Sequence, residues 1–336
     1  MRLNGSRHVG VLIEHRRAET NNRFSEIQSL LKNSAKIADG KGCIYVTGSF
    51  GRGEASQFSD LDLFILGRSL KDGTRALGKL DEICIKAELV DATRRLHIPE
   101  FSGDGEYLAH YTIDELVKAL GTPNDDSNNT FTARLLLLLE SQPLLGNGVY
   151  TQAIDKVITA YWRDFKDHKK EFIPAFLAND ILRLWRTFCV NYEARTRPGP
   201  PKEKAKRKLK NYKLKHSRLL TCYSAIVYLL AVFKTRKTVT PDNVRQMVKL
   251  RPTERLTSLL HETRYNSAHK KIKELIACYE RFLEKSQAPE KDLIQQFLDK
   301  KKSRELFIEA NAFGDLIFKV LESIGKDERF FRLLLV

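Results

Sequence analysis

Cysteine is scarce in this 336-residue chain. The five present, at 43, 84, 189, 222 and 278, are odd in number and show no paired spacing. That excludes a disulfide framework and a cysteine-based zinc site, and leaves each thiol to be read as a small apolar interior residue. Long hydrophobic runs are missing too. The longest leucine-rich stretch, Leu135 to Leu139, is far too short to cross a bilayer, and Met1-Arg2-Leu3-Asn4-Gly5 lacks a signal-peptide core. These absences set the expectation of a cytoplasmic protein with no membrane segment. Several catalytic signatures are absent as well. There is no Gly-x-Ser-x-Gly elbow and no His-Glu-x-x-His, no glycine loop ends in Lys-Ser or Lys-Thr, and no Gly-x-Gly-x-x-Gly fingerprint occurs. Hydrolase-elbow, zincin, P-loop and Rossmann readings fail on those residues. Acidic charge is in deficit, 42 Asp and Glu against 58 Lys and Arg, for a net charge of +16. Such a balance favours polyanionic partners and speeds their approach without naming one.

What is present centres on Gly48-Ser49-Phe50-Gly51-Arg52-Gly53 and, shortly after, Ser59-Asp60-Leu61-Asp62-Leu63-Phe64-Ile65-Leu66. Cys43-Ile44-Tyr45-Val46 is short, apolar and β-rich, which predicts a buried strand that delivers the chain into the glycine turn. Glycines there allow close backbone approach to a polyphosphate. Ser49 adds a hydroxyl donor, and turn amides can form an anion-binding concavity. Arg52 has two readings, a charged fork on the same phosphates or an anchor from the loop to a nearby carboxylate. In a strand, Asp60 and Asp62 share one face while Leu61 and Leu63 take the other. Two like-charged carboxylates so placed repel unless cations lie between them, and their hard oxygens suit Mg²⁺.

The segment Gly48 to Leu66 resembles the nucleotidyltransferase superfamily related to DNA polymerase β, with its Gly-Ser turn and Asp-x-Asp on the next strand. It is similar in wording to uridylyltransferase-like and small bacterial Gly-Ser-x-Gly-Arg-Gly members. The resemblance implies an α/β (α+β) domain with a small mixed sheet, two Mg²⁺ ions (Mn²⁺ as a substitute), and NTP substrates such as ATP. The activity implied is transfer of a nucleoside monophosphate with release of pyrophosphate. It also implies a third metal-binding carboxylate on a later strand. Leu96-His97-Ile98 alternates as a strand would, so Glu100 is the first choice and Asp104, in a Gly-Asp-Gly turn sequence, the second. Gly48, Ser49 and Arg52 are then the phosphate-side candidates, and Asp60 and Asp62 the metal ligands. Relatives close over the triphosphate with a Lys and a Ser or Tyr from a helical domain, for which Lys213, Lys215 and Ser217 are the positional candidates.

The organisation read from the pattern is a catalytic domain over 1–145 and an all-α domain over 146–336. An amphipathic helix is expected at about 20–38, another from about Thr74 to Arg94, and a helix from Thr112 to Leu120 with Thr112 as cap and Glu115 completing a capping box. Gly121 to Asn129 reads as a turn-rich loop, and Thr130 to Leu139 as a buried helix. Arg195 to Arg218 is densely basic, read either as a solvated helix face or as an electrostatic wall for triphosphate or nucleic acid. The absence of any His-Asp dipeptide removes the phosphohydrolase module of large uridylyltransferases, so a stand-alone transferase is expected. The basic charge points to RNA, for example a tRNA end, as acceptor. The competing readings are a cyclic-nucleotide or oligonucleotide synthase, a transferase acting on a small molecule or protein, and a non-catalytic NTP- or RNA-binding module.

Overall fold

The structure is a computed structural model that describes residues 10–101, 108–194, 196 and 198–334. In chain order the helices and strands begin α1 (Val11–Leu30), α2 (Lys32–Ala38), β1 (Gly42–Val46), α3 (Gly48–Arg52), β2 (Leu63–Gly67) and α4 (Lys79–Arg95). They continue β3 (His110–Thr112), α5 (Ile113–Lys118), α6 (Asn124–Ser127), α7 (Thr130–Glu140), β4 (Gln142–Leu145), α8 (Asn147–Tyr161) and α9 (Ala175–Ala194). The remainder is helical: α10 (Pro201–Lys213), α11 (Leu219–Arg236), α12 (Pro241–Lys249), α13 (Pro252–Thr257), α14 (Asn266–Lys285), α15 (Glu290–Leu298), α16 (Lys300–Gly325) and α17 (Arg329–Leu333). The fold is thus a small mixed sheet with flanking helices in the N-terminal region and a largely helical C-terminal part, as the resemblance implies.

The sheet order is β3-β2-β1-β4, with β1 antiparallel to β2 and β4, and β3 parallel to β2. Alternation sorts each central strand into two buried faces. Ile44, Val46, Leu63 and Ile65 join Ile27 and Leu31 from the first helices and Ile85, Leu89 and Ala92 from α4 in one core. On the other face Tyr45 stacks on Phe64 at 5.3 Å and donates its hydroxyl to the Ala133 carbonyl of α7. Helices therefore cover both faces, and the strands read as apolar runs because neither side meets water.

The capped helix at Thr112 is present. Glu115 N donates to Thr112 Oγ1, and Thr112 N donates back to Glu115 Oε2. The Thr130–Leu139 helix is present too, buried almost throughout. Three expectations need correction. Leu96-His97-Ile98 is not a strand: backbone amides at 96, 97 and 98 bond back to the last turn of α4, and His97 turns the chain with φ +50°. The third strand is instead His110–Thr112. Within Gly121–Asn129 lies the short helix α6, and β4 escaped notice because Pro143 interrupts its pattern, which an edge strand tolerates.

The chain divides into two compact units. One holds residues 18–180 with 236–251, the other 1–17, 181–235 and 252–336. The first, the sheet unit, extends beyond 145 because α8 packs on β1 and the returning segment 236–251 is pinned to it. Val239 exchanges hydrogen bonds with Phe172 and Trp162, and Arg245 pairs with Asp155 at 2.6 Å. In the second, the helical unit, the stretch Pro201–Arg236 contains a window long and apolar enough to cross a bilayer, 72% of it buried within the structure. Its apolar residues serve the core, as where Phe233 meets the fully buried Phe330 edge-on.

Candidate active site

β1 ends at Val46, and Thr47 N donates to the Asp62 carbonyl at 2.8 Å, so the entry to the glycine turn and the segment leading into β2 lie side by side. Gly48 then adopts φ +64°, a left-handed conformation that glycine takes without steric cost. A Cβ at this position would stand 2.5 Å from Asp62 Oδ2, which shows how closely the carboxylate lies on the turn. Leu61 and Leu63 are buried at 2% and 4% exposure, while Asp62 is exposed and Asp60 half-buried. Burial alternates as expected, but the acids are not on the strand: both sit on the outward side of the extended chain just before β2, which begins at Leu63. Ser49, half-buried, opens the first turn of α3.

The loop is held by a buried carboxylate that no motif announces. Glu140, the last residue of α7, accepts from Gly48 N at 3.0 Å through one oxygen and from Arg52 Nη1 at 2.9 Å through the other. Arg52 Nε donates to Glu54 Oε2 at 2.8 Å, and Arg52, Glu54 and Glu140 are all buried. Of the two readings of Arg52, the structure gives the anchor. The Gly48 amide is likewise committed to Glu140, so the residue serves the loop through close approach rather than as a donor outward. Gly51 is needed for the same contact, because a Cβ there would collide with the Glu140 carbonyl.

α7 is itself fixed at its other end. Arg134, fully buried, donates to both oxygens of Asp125 at 2.8 and 2.5 Å, to the Leu116 carbonyl, and to the Tyr161 hydroxyl, which donates to Asp180. Burial disfavours the Arg134 charge, but the bonds and charge of Asp125 and Tyr161 more than reverse this and raise its pKa. The sequence signal was present as Asp125-Asp126 and Arg134, yet a charged residue inside a leucine run does not reveal its partner.

Two further cations flank the loop. Arg23 lies over the Phe50 ring at 4.9 Å and donates to the Ser56 carbonyl, and burial lowers its pKa. Arg251 packs on Gly53, where a Cβ would stand 2.7 Å from its Nε. It comes from the segment that returns to the sheet unit some 200 residues later, so local spacing could not have found it.

Glu100 is exposed in the irregular segment after α4. Asp104 lies outside the described residues. Among the described residues no group of three or more His, Cys, Asp or Glu side chains is assembled that could hold a metal ion. In the helical unit, Lys213 is exposed at the end of α10, and Lys215 and Ser217 lie on the π-helical turn Leu214–Arg218. Lys215 Nζ donates to Asn311 Oδ1 at 2.9 Å, whereas Ser217 is buried and accepts from Tyr279. The Ser217 hydroxyl belongs to the interior of its unit and does not present itself to a phosphate.

Residues 27–123 match the family model described as a nucleotidyltransferase domain. Over these residues the chain is similar to nucleotidyltransferase domains. The match begins in α1 and ends just before α6, and so takes in the glycine turn, both acids and three of the four strands. It spans less than a third of the chain, consistent with a polymerase β-like superfamily while leaving the acceptor unnamed. Nothing matches among curated proteins or solved structures. The domain implies a nucleoside triphosphate substrate, and nucleotidyltransferase domains typically use divalent metals. The acidic pair fits that chemistry: two hard oxygen donors, exposed and half-buried, suit an ion that keeps waters and takes phosphate oxygens.

Proposed function

We propose that the protein transfers a nucleoside monophosphate from an NTP to an acceptor hydroxyl of RNA. The observation that carries the reading is Asp62 seated on Gly48 with Asp60 beside it on the outward face of the same extended segment. Asp60 and Asp62 would hold Mg²⁺, with Mn²⁺ as substitute. When bound, such ions neutralise the charge that develops around an in-line displacement at phosphorus. The protein's own share is positioning and electrostatics. Ser49 and the first turn of α3 face the phosphates with donors, and Arg251 adds positive charge beside Gly53. The acceptor oxygen bonds to the α-phosphorus as the bond to pyrophosphate breaks, and the hydroxyl proton passes to a carboxylate of the site. Glu140 keeps the turn rigid so that the two acids and the donors stay in register. The excess of basic residues supports RNA over a small neutral acceptor.

The test is incubation of the purified protein with each α-³²P-labelled NTP and Mg²⁺, with and without total RNA, beside the Asp60→Ala/Asp62→Ala variant. Label on RNA from the wild type alone supports the reading. Label in a small product without RNA moves the acceptor to a nucleotide or metabolite. No pyrophosphate release under any condition rejects transfer in favour of a binding module.

A further inference from the structure

Two basic runs far apart in sequence lie together in the helical unit. Residues 201–218 carry nine Lys or Arg and one Glu, and Lys300-Lys301-Lys302 with Arg304 open α16. Lys208 Nζ reaches Ser303 Oγ at 3.4 Å, and Lys215 Nζ reaches Asn311 Oδ1 at 2.9 Å. These contacts are spaced seven residues apart on one helix and eight on the other, so α10 and α16 run side by side in the same direction. Helical periodicity then places Lys204, Lys208 and Lys215 along one flank of α10 and its π-helical continuation, and Lys300, Arg304 and Phe307 along the facing flank of α16.

We propose that this seam between α10 and α16 binds the phosphate backbone of single-stranded nucleic acid. The inference rests on the reading of RNA as acceptor. Stability does not account for the arrangement. The first turn of α16 carries three lysines, which its dipole disfavours, behind the N-cap Asp299 that accepts from the Lys301 and Lys302 amides. The apolar face of α10, formed by Ala205, Leu209 and Tyr212, is already buried, so the helix has no apolar stripe to insert into lipid. Phe307 lies among the cations, 5.8 Å from Lys215 Nζ, and aromatics set between basic residues are how sequence-tolerant single-strand sites hold bases. From Lys204 to Lys215 the seam is ~16 Å long at the helical rise, room for several successive phosphates of one strand.

The experiment is fluorescence anisotropy of the full chain with a labelled mixed-sequence 20-nucleotide RNA, without NTP, across 50–300 mM salt. Lys204→Gln/Lys208→Gln and Lys300→Gln/Arg304→Gln should each lower affinity roughly tenfold or more at low salt. Each should also reduce the magnitude of the log–log salt slope by about 1.4, two phosphate contacts' worth. Lys118→Gln/Lys166→Gln, exposed lysines of the sheet unit, should leave it within twofold. Circular dichroism and melting verify that each variant folds. An unaffected Lys300→Gln/Arg304→Gln variant overturns the two-helix seam. Tighter binding to phosphatidylserine vesicles or to poly-glutamate, abolished by the same substitutions, overturns the nucleic-acid assignment. RNA binding without pyrophosphate release would remove the transferase reading and keep the seam; transfer to a small acceptor without RNA binding would do the reverse.

Discussion

Charged residues do opposite work in the two units. In the sheet unit, Arg52 and Glu140, and Arg134 and Asp125, are buried and paired, and their hydrogen bonds set backbone positions. In the helical unit, Lys204, Lys300 and Arg304 are exposed and lie on a surface crowded with like charge. A buried pair contributes geometry at a high desolvation cost, and losing one partner strands the other. An exposed cation contributes little to stability and a long-range field to association. The lesson is that charge density alone did not mark the matched domain: the glycine turn is held by a few interior ions, and the basic excess sits elsewhere.

The largest test of that contrast is Asp62→Ala, which should cut NTP-dependent turnover by roughly 10³-fold or more while the melting curve stays near wild type, since metal-borne charge stabilisation is worth several kcal/mol. Glu140→Ala should instead destabilise the fold by about 3–5 kcal/mol in urea unfolding, because Arg52 is left buried and short of a partner; Lys204→Gln should stay within about 0.5 kcal/mol in the same assay. Equal losses for the two would break the comparison. Gly48→Ala should cost about 1–2 kcal/mol for its left-handed conformation and displace Asp62, seen as lost turnover at retained folding.

His216 sharpens the contrast within the helical unit. It is buried between Tyr212, Phe282 and Phe313, stacked on Phe282 at 4.4 Å with Nδ1 2.9 Å from the Tyr212 carbonyl. Burial pulls its pKa down to about 4. The folded state therefore prefers the neutral ring. The stability this contributes is complete above the ordinary value near 6.5 and is lost as pH falls through about 4. Unfolding free energy measured from pH 7 to 4 should drop for the wild type and flatten for His216→Phe. The smallest effect is expected for Glu100→Gln, which should keep turnover within about twofold; a loss comparable to Asp62→Ala would return Glu100 to the site.

Much of the sheet unit was legible because its signals are local. The apolar run at 43–46, the glycine turn and the spacing of Asp60 and Asp62 each depend on a few neighbouring residues, as does the Thr112–Glu115 cap. Strand assignment failed at Leu96-His97-Ile98 for a physical reason: three residues of alternation are compatible with a helix C-terminus, and the bonds back to α4 decided it. Without that strand, Glu100 lies exposed in the irregular segment after α4. Arg52 was left open between phosphate and carboxylate, and the deciding partner, Glu140, is 88 residues away.

By itself the sequence determined the elements that spacing controls: the turn, the outward acid pair, the helices that cap and bury in period, and an excess of positive charge. Tertiary structure alone decided which charges meet. It seated Glu140 under the glycine turn, brought Arg251 to Gly53, enclosed Ser217, and laid Lys208 and Lys215 against Ser303 and Asn311 of α16. Periodicity constrains what a residue's own element does within a few turns, whereas the partner of a buried or clustered charge is chosen by chain segments that only packing brings together.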